Sequence, residues 1–295
     1  MSKIITKTGF ILKPNSVSSL GTVTFTDGTT NGLIADQQTC EAYGYTYNIA
    51  TGTCSAFVPS PKMVDDFNNT NNYELGQRNS RESATQNNLI VGTHNTNKGS
   101  NSNTLMLGNQ HKIEIGNDNS SILGGSRAIV TRKGEVVTAG GGQRTLSDST
   151  SAATFNSRRQ SSTIELSGVT IDNTATNLTV QGDGSSFINV KNNSIIGYDI
   201  YITRLELGGT SGTAGNYSYR NIRGAVQIDD SYNMAFVVGF SRNIAKIGQN
   251  GTCIMADTST SSVKSISVNV QDRNNVHNLW SASVTLHEVI SETTF

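Results

Sequence analysis

The stretch "TLMLGNQHKIEIGNDNSSILGG", Thr104 to Gly125, carries a short apolar burst ending in glycine, and then carries it again. Leu105, Met106, Leu107 and Gly108 return sixteen residues later as Ser121, Ile122, Leu123 and Gly124. The spacing runs on in both directions: Gly92, Gly108, Gly124 and Gly140 are preceded by "LIV", "LML", "SIL" and "VTA". Two further steps reach Asn156 behind "ATF" and Asp172 behind "VTI", residue types that tolerate a left-handed turn. Ile113 and Ile115 lie midway in one unit, and Ile129 takes the matching phase of the next. This pattern predicts a parallel coil with two short strands and two turns per rung, the four glycines turning corners. Val91, Leu105, Leu107, Ile113, Ile115 and Leu123 are expected to stack into one apolar column that no single rung could bury alone.

A chemical reading of the same glycines fails on detail. "GGSRAIV" lacks the Gly-Lys-Ser/Thr ending of a phosphate loop, and "AGGGQRTL" does not sit between a strand and a helix as a dinucleotide site requires. The aspartates of calcium-binding nonapeptide repeats are also missing. No cofactor and no metal ion is expected.

Composition narrows the function classes. The 295 residues hold 22 basic and 22 acidic side chains, so no strong field gathers nucleic acid or an anionic membrane, and neither is an expected partner. Neutral polarity replaces charge: thirty-two asparagines stand beside 29 glycines, with only 3 prolines. Isoleucine, valine and leucine recur throughout, which points to an all-β chain with many tight turns rather than to disorder. No segment reads as a signal peptide or a membrane span.

Four regions follow. Residues 1–61 read as a small β-rich module in which Asp36 caps a short helix and "YTYN" and "TCSAF" pair across "IATG". Its Cys40 and Cys54 are either a disulfide or two buried thiols; no histidine lies nearby to complete a zinc site. Residues 62–86 hold few apolar side chains and read as a polar linker. Residues 87–173 carry the coil. From 174 to 295 come alternating segments such as "YDIYITRLEL" and "WSASVTLHEVI", which predict an antiparallel β-sandwich. Its single tryptophan, Trp280, is expected to anchor the core or to serve as a stacking platform for a ligand.

The units "NNLIVGTHNTNKGSN", "SNTLMLGNQHKIEIGN" and "DNSSILGGSRAIVTR" resemble the head repeats of trimeric autotransporter adhesins and the related β-rolls of bacteriophage fibres. The terminal block "NNVHNLWSASVTLHEVI" is similar to the C-terminal β-domains of phage fibre and appendage proteins. With no secretion signal or anchor in view, the resemblance implies the phage side: an elongated homotrimer on the virion surface. Residues 1–61 would dock on a capsid, neck or tail protein, and the tip would touch a host glycan or protein.

A non-enzymatic structural protein is the leading expectation, with a tailspike-type polysaccharide depolymerase or a cell-surface adhesin as alternatives. Glycoside hydrolysis needs two carboxylates across a groove, whereas Asp65-Asp66 and Asp229-Asp230 are sequence neighbours whose side chains diverge on a strand. No G-x-S-x-G occurs. His94 and His111, just past the repeat glycines, read as exposed turn positions or as a stack on a threefold axis. On this reading Leu107→Asp breaks assembly and His111→Ala is tolerated.

Overall fold

The structure, a computed structural model, describes residues 11–18, 20–56, 71–142 and 158–291. The chain divides into two compact units, Met1–Asn68 and Asn69–Phe295.

In the first unit, β1 (Lys13–Val17), β2 (Thr22–Thr26), β3 (Asn31–Leu33), α1 (Gln37–Ala42), β4 (Thr46–Asn48) and β5 (Thr53–Ser55) follow in order. The strands form one antiparallel sheet, β1-β2-β5-β4, with β3 on β2. Asp36 accepts from the Thr39 amide at 2.8 Å and so caps α1. The core is small: Val23, Phe25, Ala35, Cys40 and Cys54, with Tyr43 and Tyr45 edge-on to Phe25. Cys40 and Cys54 are disulfide-bonded, tying α1 to β5 across 14 residues. Closing a loop of that size is worth about 3 kcal/mol, a large share for so thin a core.

The second unit begins with the coil: β6 (Tyr73–Gln77), β7 (Ser80–Arg81), β8 (Leu89–Thr93), β9 (Thr96–Asn97), β10 (Leu105–Asn109), β11 (Lys112–Ile113), β12 (Ser121–Ile122), β13 (Ile129–Val130) and β14 (Val136–Gly142). It is a parallel β-solenoid. One face stacks β6-β8-β10-β12-β14 and the other β7-β9-β11-β13. Tyr73, Leu89, Leu105 and Ser121 align with a sixteen-residue step. The first rung therefore lies inside the stretch expected to be a linker. Its "YELG" is a weaker copy of "LIVG", and it is ordered by the rung above rather than by apolar content of its own.

Asparagine explains the composition. Asn71, Asn87, Asn103 and Asn119 all take positive φ at one corner. Each amide donates to the next, at 3.1, 3.1 and 3.0 Å. A second ladder runs inside: the Asn95 side-chain amide donates to the Gly108 carbonyl at 3.0 Å, while its Oδ1 takes the His111 backbone N–H at 2.9 Å. A side chain that both donates and accepts can extend the backbone hydrogen-bond pattern up the stack, which a narrow coil needs where apolar filling runs out.

The apolar filling corrects the expected column by one residue. The buried cluster is Ile90, Met106, Ile113, Ile122, Ala128, Val130 and Val137. Of the expected core only Ile113 belongs to it. Successive residues on a strand face opposite sides, so Ile90, Met106 and Ile122 point in and their neighbours Val91, Leu105, Leu107 and Leu123 point out. Ile115 is 67% exposed.

The corner glycines are corrected at one end. Gly76, Gly92, Gly108 and Gly124 share φ values of 121, 130, 131 and 133°. Gly140 does not join them. β12 pairs with β14 through Ser121↔Val136, a fifteen-residue step, and Gly140 instead faces Gln160 in an antiparallel ladder. The step between β11 and β13 is seventeen residues, Lys112↔Ile129, so the rung lengthens on one face before shortening on the other.

The sandwich follows: β15 (Arg158–Thr170), β16 (Thr176–Asn177), β17 (Thr179–Val180), β18 (Ile188–Asn189), β19 (Ser194–Gly208), β20 (Tyr217–Ile228), β21 (Met234–Ile247), β22 (Thr252–Asp257), β23 (Ser265–Gln271) and β24 (His277–Ile290). β14 leaves the solenoid by pairing antiparallel with β15, and the sheet continues as β15-β24-β19-β20-β21. A smaller sheet, β16-β23-β18 with β22, covers it over a core that includes Ile164, Leu166, Ile200, Val268 and Val284. β15 thus belongs to the sandwich rather than to the coil that was expected to reach residue 173. Its thirteen residues pair with β24 from Arg158↔Ile290 to Thr170↔Asn278. Asn156, expected to continue the repeat, lies outside the described residues.

Candidate functional site

Two groups of buried charge hold the sandwich. Arg132, on the last rung, donates to Glu135 Oε1 at 3.0 Å, to Glu288 Oε2 at 2.9 Å and to the Asn189 carbonyl at 2.6 Å. All three ionic side chains are sealed from solvent. Burial pulls the guanidinium toward its neutral form, and the Glu288 and Glu135 carboxylates outweigh that, so its pKa lies above the ordinary arginine value. The second group joins Arg204 to Asp272 and Glu206, with Arg273 Nη2 donating to both Glu206 carboxylate oxygens at 3.2 Å. These carboxylate pairs are occupied by arginine and closed to a substrate. They fasten the last rung to β24, and β19 to the turn after β23.

Trp280 is 3% exposed. Its indole N–H donates to Thr170 Oγ1 at 2.9 Å and the Arg204 guanidinium lies 6.0 Å from its ring. The structure gives it the core position, not the stacking platform. Asp229 closes a turn: the Asn233 side-chain amide, first, and the backbone N–H groups of Asn233 and Ser231 donate to it at 2.7, 2.7 and 2.9 Å, which holds its carboxyl below the usual range. Asp65 and Asp66 lie outside the described residues.

The two shaft histidines part company. His94 sits exposed at a corner with φ 57° and meets Arg78 at 3.3 Å. His111 is 1% exposed and occupies the inner ladder position that Asn79 and Asn95 hold on the rungs below. Its Nδ1 accepts the Ala128 amide at 3.1 Å, which fixes the proton on Nε2, facing the Leu107 carbonyl at 3.1 Å. The expectation that His111 is dispensable is therefore reversed. Burial is the first cause holding its pKa below 6.5. An unfolded histidine takes up its proton first as pH falls, so the solenoid loses stability from about pH 6.5 downward. His111→Asn, which restores the residue used by the neighbouring rungs, is expected to remove that component. Melting temperatures of both proteins at pH 7.5 and 5 check this, and an equal acid shift in both contradicts it.

Among the described residues of the second unit, two clefts stand out. The first, of about 330 Å³, lies where the last rung meets the small sheet. Ser185, Ser186, Thr258, Thr260, Asn117 and Asn189 supply hydroxyls and amides, Phe187 and Val263 the apolar surface, and Lys133 a cation. Lys133 is neutralised by Asp183 at 3.0 Å. The second, of about 300 Å³, is on the outer face of the large sheet, between Tyr201, Asn221, Phe240, Arg242 and Ile244. Neither lining includes a carboxylate. In the first cleft, where the lysine is paired, hydroxyls, amides and an aromatic ring match the chemistry of a sugar surface, with hydrogen bonds at its edge and C–H groups on its face.

The outward face of the solenoid is the other feature. Tyr73 and Leu75 of β6 are 67% and 61% exposed, and Leu89, Val91, Leu105, Leu107 and Leu123 continue the stripe up the rungs. Sequence reading found Val91, Leu105, Leu107 and Leu123 and gave them the wrong direction, while Tyr73 and Leu75 fell in the stretch expected to be a linker. The buried arginines and both clefts left no local signature, because their members come together from positions up to 156 residues apart.

No protein-family model matches the chain, and no curated protein does. Solved structures similar to it include three tailspikes. The tailspike of Acinetobacter baumannii phage AM24 is 7% identical over 74% of this chain and 50% of that one, with a TM-score of 0.27. Tailspike gp49 of A. baumannii bacteriophage Fri1, described as a capsular polysaccharide depolymerase, is 10% identical over 75% and 37%, with a TM-score of 0.25. The tailspike of Acinetobacter phage vB_ApiP_P1 is 9% identical over 74% and 47%, also at 0.25. The chain spans half or less of the length of each. The expectation of a non-enzymatic protein is corrected by the depolymerase among these neighbours. Likeness at such TM-scores assigns no catalytic residue here.

Proposed function

We propose that this chain is a tail-appendage protein of a bacteriophage virion, of the fibre or tailspike class. It works as a homotrimer on the virion surface, with residues 1–61 toward a virion protein and the second unit toward host-surface polysaccharide. The observation that carries this is the outward stripe from Tyr73 to Leu123, an apolar ladder on a coil too narrow to use it internally. A partner that matches leucines repeating once per rung is another copy of the same coil, placed rung against rung around an axis parallel to the stack. Apolar side chains repeated on the outside of successive rungs support this reading, since exposed apolar patches are what interfaces use. The cleft beside Phe187 then supplies a sugar contact on each copy, and multiplicity turns weak contacts into firm adhesion.

Sedimentation tests the assembly. The wild-type chain is expected at three times its 31.5 kDa mass. Leu107→Asp places an unpaired carboxylate in each interface, at a cost of about 3–5 kcal/mol per buried charge, and is expected to yield folded monomer. A monomeric wild type, or an intact Leu107→Asp trimer, contradicts the proposal.

A further inference from the structure

The outer face of the large sheet carries a cleft on strands remote from the solenoid stripe in sheet order. In sheet order β21 lies five strands beyond β14, where the solenoid ends. Tyr201, Asn221 and Arg242 stand side by side on β19, β20 and β21, because Tyr201 pairs with Asn221 and Asn221 with Arg242. Tyr201 and Tyr219 are stacked, with ring centroids 5.9 Å apart at 27°. Phe240 and Ile244 flank Arg242 on its own strand and complete the 300 Å³ cleft.

The polar groups of this cleft differ in whether they are already occupied. Arg223 is paired with Asp199 at 2.9 Å and lies 6.0 Å from the Phe240 ring, so its charge is spent. Arg242 is exposed and has no acidic partner among the described residues. Asn221 is 4% exposed; its amide donates to Asp199 and to the Ile200 carbonyl, and its Oδ1 accepts from no described residue. An unused guanidinium at the rim, an open amide acceptor in the lining and two aromatic residues in the walls together specify a ligand. It offers an apolar ring face, a hydroxyl donor and a carboxylate.

We propose that this cleft binds a carboxylated sugar, a uronate-type residue of an acidic polysaccharide. The guanidinium takes the carboxylate in a two-bond fork, the ring C–H groups pack on Tyr201 and Phe240, and a sugar hydroxyl donates to Asn221 Oδ1. The uncharged cleft at the solenoid seam lacks a free cation and has no such preference. The proposal names the ligand class for a second site on the appendage of the preceding subsection. It is separable from it, since that reading stands or falls on oligomeric mass.

The test is calorimetric titration of the full chain with an oligogalacturonate and with the same oligosaccharide after reduction of its carboxyls to alcohols. Binding of the acid form is expected to be about tenfold tighter, the worth of one charge-assisted pair, and to weaken with added salt. Arg242→Gln is expected to erase the difference between the two ligands, and Tyr201→Ala to weaken both. Arg242 is exposed on an edge strand, so its substitution leaves the fold intact, which the melting temperature verifies. No binding by the folded wild type, equal affinity for the two ligands, or an acid preference surviving in Arg242→Gln overturns the proposal.

Discussion

Replacing Gly92 by alanine is expected to destabilise the second unit by about 3–4 kcal/mol, the upper range for a single substitution. Two effects combine. The residue has φ 130°, a conformation that side-chain-bearing residues rarely adopt, and a Cβ there would lie 1.7 Å from the Gly108 carbonyl oxygen and 2.8 Å from its carbon. The obstacle is backbone of the next rung, so relief requires unstacking. Gly116 gives the control: φ is 75° and nothing lies within 4 Å of its would-be Cβ. Gly116→Asn, a residue that accepts this conformation, is expected to cost less than about 1 kcal/mol. Denaturant midpoints of the two variants check the contrast, and equal losses contradict the rung geometry.

Arg132→Ala is expected to be as severe, at about 3–5 kcal/mol, because it leaves two carboxylates in a sealed site without the guanidinium that balances their charge. A second variant identifies the cause. Adding Glu135→Gln and Glu288→Gln to Arg132→Ala removes the two buried charges and is expected to recover part of the loss, read from denaturant midpoints. A triple variant no more stable than Arg132→Ala assigns the loss to packing instead. Gln160, whose amide donates to Glu135 Oε1 at 3.1 Å, remains as a neutral partner of the pair.

How much of this was legible in the sequence depends on what each residue answers to. The sixteen-residue step was visible because left-handed corners need glycine or asparagine and those residues mark themselves. The phase was not. "LIV" and "LML" are apolar at all three positions, so alternation gives no direction, and the flanking residues are apolar for a surface outside the coil. Gly140 falls on the sixteen-residue count but not in the ladder, because β14 has a second obligation, to β15, that a repeat count does not register. His111 looked like a turn residue beside Gly108, and only the ladder of Asn79 and Asn95 beneath it reveals an inward position. The sandwich strands announced themselves by alternation. β15 did not, since Gln160 and Ser162 occupy buried positions where a reader expects apolar residues.

The same limits apply to the site. Disulfide partners 14 residues apart were readable as a pair, although not as a bond. A cleft lined by serine, threonine and asparagine from three separate turns has no motif, in a chain where those residues are everywhere. Incubation of the protein with host capsule, with measurement of new reducing ends, distinguishes a depolymerase from a binding protein.

Identical coils are expected to pack rung against rung through the outward stripe, and a cross-link at its first rung reports that contact. In a parallel threefold assembly Leu75 of each copy faces Leu75 of the others. Leu75→Cys treated with a three-armed maleimide is then expected to give a covalent species of three chains on a denaturing gel. Only single chains, or a species that stops at two, would contradict the account.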